Sequence, residues 1–233
     1  MDEKERLKKL RALLDSGLQN YLTGDYTEAI RDLKAAEVLD HQNPETLYNL
    51  GLSYSRLGLH KSALDYLYRV IELPFDFVEE LTVRTVLALT LIHLGEYLEA
   101  QEQLDRVLSV DRTNRAASNL KAYGLYQQKK IDEAVDQYRR ILAREPDNAT
   151  AANSLAYLLV SEKGETVESQ ELVKKSLEKY PANPAYLDTL GYILLKLGDY
   201  ENARKVLEKA RESAPLEDEI LEHQKELQDR FTS

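Results

Sequence analysis

The chain has 233 residues, 43% of them hydrophobic, which is enough to bury a substantial core. Its 41 acidic and 31 basic residues leave a formal charge of −10, which repels nucleic-acid phosphates and anionic lipid head groups, so no nucleic-acid partner is expected. The absence of cysteine rules out disulfides, thiolate metal sites and a cysteine nucleophile.

In chain order, residues 1–9 come first. The basic run from Lys4 to Arg11, interrupted by Glu5, reads as the solvated face of a helix that lengthens the first element. Met1 to Leu7 lacks the apolar core of a signal peptide, and no stretch approaches the ~20 apolar residues a bilayer span needs. No membrane insertion and a cytoplasmic location are therefore expected, although a chain trimmed of a leader or anchor would read the same.

A repeating beat then sets the next 200 or so residues. Turn glycines fall at Gly24, Gly58, Gly95, Gly164 and Gly198, and Lys129 fills the missing slot, giving steps of 34, 37, 34, 35 and 34. Five residues after each turn stands a small residue: Ala29, Ala63, Ala100, Ala134, Ser169 and Ala203. Seven or eight before it stands another: Gly17, Gly51, Ala88, Ala122, Ala156 and Gly191. Two helices that pack closely need small side chains at such points. Helix pairs are expected over 10–43, 44–77, 81–114, 115–148, 149–183 and 184–217 as one continuous domain, each contacting mainly its neighbours.

Asn43-Pro44 and Asn183-Pro184 place a capping side chain before a proline at the first helical position, and Pro146, Pro181 and Pro215 end units. The longer steps mark insertions of three residues near Val78 to Glu80 and of one near Ser161 to Lys163. Phe75 and Phe77 are expected to plug the first of these junctions. Beyond Pro215, Leu216, Ile220, Leu227 and Phe231 alternate with charged residues, as in an amphipathic helix over 218–233 that caps the open end.

Catalytic chemistry finds little support. The glycines are spent on turns and packing rather than clustered for a phosphate, and no G-x-S-x-G turn occurs. The four histidines, His41, His60, His93 and His223, read as separate surface residues without a second ligand at metal spacing. The chain is expected to be no enzyme and to carry neither cofactor nor metal.

Leu50-Gly51-Leu-Ser-Tyr54, Gly198-Asp-Tyr-Glu-Asn-Ala203, and Ala210 with Pro215 resemble the L-G-x-x-Y, A-x-x-x-F and A-x-x-x-x-P pattern of the tetratricopeptide repeat family. The resemblance extends over nearly the whole chain, departing in its lack of tryptophan, in Lys129 and in the two insertions. It implies an all-α fold, a right-handed superhelical solenoid of antiparallel helix pairs, whose first helices line a concave face.

On those first helices, one row holds Leu18, Leu52, Leu89, Tyr123, Tyr157 and Tyr192. Four residues earlier stand Leu14, Tyr48, Thr85, Asn119, Asn153 and Asp188; four later stand Leu22, Arg56, His93, Gln127, Ser161 and Lys196. From these rows Tyr48, Leu52, Leu89, His93, Asn119, Tyr123, Gln127, Asn153, Tyr157, Asp188 and Tyr192 are the candidate residues for binding a protein or peptide partner. The alternatives are that they fill gaps between helices, or that the chain is a structural protein that self-associates as a homo-oligomer through its convex face or C-terminal helix. A clamp for acidic chaperone tails is disfavoured, since only Asn49 falls on a matching position.

Overall fold

The computed structural model describes residues 2–73, 80–215 and 217–232, the side chains of 231 and 232 excepted. The expectations placed on Phe75, Phe77, Val78, Leu216 and the Phe231 side chain fall outside the described residues.

Thirteen α-helices are found among the described residues: α1 (Glu3–Leu22), α2 (Tyr26–Leu39), α3 (Pro44–Arg56), α4 (His60–Ile71), α5 (Glu80–Leu94), α6 (Tyr97–Val110), α7 (Arg115–Gln127), α8 (Ile131–Arg144), α9 (Ala149–Leu158), α10 (Thr166–Lys179), α11 (Pro184–Lys196), α12 (Tyr200–Ser213) and α13 (Asp218–Thr232). They form two compact units, 1–128 and 129–233, the division falling between α7 and α8. Within each unit a helix packs on the next in sequence, and the first helix of each pair also packs on the first helix of the next, so neighbouring pairs share a core.

The punctuation has direct causes. Gly24 takes φ 86° and Lys129 takes φ 62°, so the residue that replaces glycine adopts the same left-handed turn. Asn43 accepts the Thr46 amide at 2.8 Å, and Asn183 accepts those of Ala185 at 3.0 Å and Tyr186 at 3.3 Å. Asn114 and Asn148 cap α7 and α9 in the same way, with no proline to mark them in the sequence.

Close approach explains the small residues. A Cβ on Gly191 would lie 2.6 Å from two carbons of Leu207, and one on Gly17 would lie 2.7 Å from Leu33 Cγ. Both leucines are fully buried. The one-residue insertion near Ser161 is absorbed by continuing α9 into a π-helical turn, Leu159–Lys163, before Gly164 ends it at φ 69°.

In the first unit the core runs through Leu14, Leu33, Leu50, Leu67, Leu87 and Leu104. In the second, α13 lies on α11 and α12 and buries Ile220 and Leu227 against them. It stands to that pair as α11 stands to α9 and α10, in the place where the first helix of another repeat would begin. Thirty-four residues after Gly191, however, α13 carries Lys225, an exposed long side chain where a close helix partner would need a small one.

Candidate functional site

In the first unit, the row that follows the small packing residues is only partly covered. Leu18 is 36% exposed, and Leu52, Leu89 and Tyr123 are half-buried. Leu50 and Leu87, two residues earlier on the same helices, are fully buried. The difference follows from helical geometry: a shift of two positions turns a side chain from the shared core toward the outer face of the first helices. Tyr48 is half-buried in the row beside it, where burial and then the nearby Tyr21 push its phenol above its ordinary pKa. Gln127 is half-buried, and its backbone carbonyl accepts the Tyr97 hydroxyl at 3.2 Å.

His93 touches Tyr123 edge-on, with ring centres 6.3 Å apart. It also meets His60 of α4, at 4.6 Å and tilted by 56°. The histidines expected to stand apart thus come together in one case. His60 and His93 lie 33 positions apart, one ring coming from the start of α4 and the other from the end of α5. Burial lowers the pKa of His60, and burial together with the adjacent His60 lowers that of His93.

In the second unit, Tyr157 and Tyr192 are half-buried, with ring centres 6.0 Å apart, and Asn153 is half-buried one turn before Tyr157. Asn153 Oδ1 and Ser161 Oγ are buried without a hydrogen-bond partner. Asn119, in the first unit, is half-buried at the equivalent position.

Asp188 corrects the sequence reading. It is 3% exposed, because His223 of α13 sits over it, donating from Nδ1 at 2.9 and 3.0 Å to the two carboxylate oxygens. The imidazole stacks on Tyr192 at 4.1 Å, and Lys196 pairs with Glu226 at 2.7 Å. In the last repeat these rows are therefore partly covered by the terminal helix, which buries Asp188 and leaves Tyr192 half-buried. His223, expected at the surface, is 7% exposed. Its spacing could have marked it as buried, since it stands three residues after Ile220 and four before Leu227 on the apolar face of α13.

The charges on these rows are engaged within the chain. Arg56 donates to the Tyr26 hydroxyl at 3.2 Å, Lys196 is paired with Glu226, and Asp188 is held by His223. Asn49 is 5% exposed and donates to the Glu45 carbonyl at 2.9 Å, so it does not offer its amide to an acidic tail. Among the described residues no group of three or more His, Asp or Glu side chains is placed to hold a metal ion. No described helix is long and apolar enough to cross a membrane.

Comparison with known proteins agrees with this architecture. Residues 17–58 match a family model described as TPR repeat. Residues 44–77, 85–149, 119–184 and 184–216 match models described as tetratricopeptide repeat. No curated protein sequence matches the chain. A solved tetratricopeptide repeat protein from Parabacteroides merdae ATCC 43184 is 19% identical, with 94% of this chain and 84% of that one covered and a TM-score of 0.79. PilW, a widely conserved type IV pilus biogenesis factor, is 18% identical over 91% of this chain and 96% of its own, with a TM-score of 0.63. The APC/C hetero-tetramer Cut9–Hcn1 gives 14% identity and a TM-score of 0.67, with 94% of this chain covered but 42% of that one. At these identities the likeness speaks for the fold.

Proposed function

The chain belongs to the tetratricopeptide repeat family, and from that premise we propose that it is a non-catalytic interaction module that holds a peptide or helix of a partner protein against its first helices. The observation that carries this reading is the row of Leu18, Leu52, Leu89 and Tyr123 in the first unit, with Tyr157 and Tyr192 in the second. The same repeat position leaves apolar area open to solvent each time, although Leu50, Leu87 and Leu155, two places before Leu52, Leu89 and Tyr157, are fully buried. Such half-covered leucines and tyrosines offer contact area at small entropic cost.

With Asp188, Lys196 and Arg56 already bonded within the chain, recognition rests on apolar and backbone contacts, and affinity depends weakly on salt. Among the structural neighbours, Cut9–Hcn1 is a hetero-tetramer, an assembly of the kind this reading places the chain in. Asp188 leaves the set of partner-binding candidates, in which Asn119 and Tyr123 of the first unit and Asn153 and Tyr157 of the second remain.

The test is affinity capture from native lysate with the wild-type chain and with a variant carrying Asn119→Ala, Tyr123→Ala, Asn153→Ala and Tyr157→Ala, both shown to be helical by circular dichroism. A partner retained by the wild type and lost by the variant supports the proposal. Equal capture by both baits rejects these residues as the binding surface.

A further inference from the structure

We propose that His60 and His93 form a two-histidine site for a divalent transition-metal ion of the zinc or copper(II) class, a clip between the second and third repeats. One ligand begins α4 and the other lies in the last turn of α5. The spacing fits. With metal–nitrogen bonds of about 2.0–2.1 Å and neighbouring coordination positions roughly 90–110° apart, two imidazoles on one ion hold their ring centres about 4.5–5.2 Å apart. The observed separation is 4.6 Å, and the 56° tilt keeps the rings from lying face to face, where their nitrogens would not converge on one point.

Two further features suit the rings to this role. His60 Nδ1 is buried without a hydrogen-bond partner, so that nitrogen is not held by another group of the protein and is left with a lone pair for an ion. Burial lowers the pKa of both imidazoles, and at His93 the adjacent His60 adds to the shift, which favours the neutral form that binds metal.

Imidazole nitrogen favours zinc, copper and nickel over magnesium or calcium, which take oxygen ligands. Because no third His, Asp or Glu joins the pair among the described residues, water completes the coordination. The site is therefore a modest one, without the carboxylate or carbonyl partners that orient histidines in tight sites.

Titration of the full chain with zinc chloride, followed by calorimetry and by thermal unfolding, tests the assignment. One equivalent is expected to bind with a dissociation constant of roughly 10–100 µM and to raise the unfolding temperature. His60→Ala and His93→Ala, each checked for helicity without zinc, should each weaken binding by at least about tenfold, because each removes half of the donor set. His41→Ala should leave binding unchanged. The proposal is overturned if no zinc binds in this range, if only one of the two substitutions weakens binding, or if neither does. Should either variant fold poorly, His60→Gln and His93→Gln, which keep a polar side chain of similar reach, take its place with the same expected loss.

Discussion

Lys129 holds φ at 62°, a left-handed conformation in which a Cβ crowds the neighbouring carbonyl, while the five equivalent turns carry glycine. Lys129→Gly should therefore stabilise the chain by about 1 kcal/mol, read as a higher urea midpoint at unchanged slope. Asp32 gives a pH-dependent term. Ser16 donates to its carboxylate at 2.6 Å and Asn20 at 3.1 Å, and with Arg31 alongside these outweigh burial and hold its pKa below the ordinary 3.8. Between the two values the unfolded chain binds more protons than the folded one, so this stability is complete above the unfolded pKa and lost as pH falls through the folded one. Acid unfolding of Asp32→Asn should lack that part of the slope. At this scale the turn positions were legible, because a left-handed turn demands a particular residue type. The burial of Asp188 and the meeting of His60 with His93 were not, because the covering or facing group arrives from another helix.

Two glycines on first helices make opposite predictions. A side chain at Gly191 would run into Leu207, so Gly191→Val should cost about 1–3 kcal/mol through overpacking. Gly124, in α7, has room: its added Cβ would meet Ile92 Cδ1 at 3.5 Å, an ordinary contact. Gly124→Ala should gain about 0.5–1 kcal/mol, since glycine in a helix interior costs backbone entropy. Chemical denaturation of both variants checks the pair, and a loss at position 124 would contradict the packing described for α7. The terminal helix supplies a third case. His223→Ala leaves the Asp188 carboxylate buried without its partner and should cost about 3 kcal/mol. Helix boundaries followed from the beat of glycine, small residue and proline, and the Asn114 and Asn148 caps went unread because asparagine without a following proline is common in loops. The extra residue at 159–163 was located by arithmetic alone, but its π-helical form depends on the packing of α9 and could not be read from spacing.

For the whole molecule, helix pairs that meet only near neighbours make stability a sum of local terms rather than one indivisible quantity. In the second unit, hydrogen exchange of Gly191→Val should show the greatest loss of protection in α11, α12 and α13, diminishing toward α8; a uniform loss across that unit would argue for a single cooperative block. The all-helical class was legible because the repeat recurs throughout the chain, whereas the division at residue 128 leaves no mark in the 34-residue step from Gly95 to Lys129.

The same arrangement bears on how the protein is made. Every substantial contact of α1 to α6 is satisfied by a helix no more than two places away in the chain, so none of them waits for the C-terminus to be synthesised. Translation adds roughly 5–20 residues per second while helices form within microseconds, so the early pairs have time to assemble as they leave the ribosome. Lys34, Glu37 and Arg69 in the first repeats are then bonded to one another while the codon for His223 is still unread.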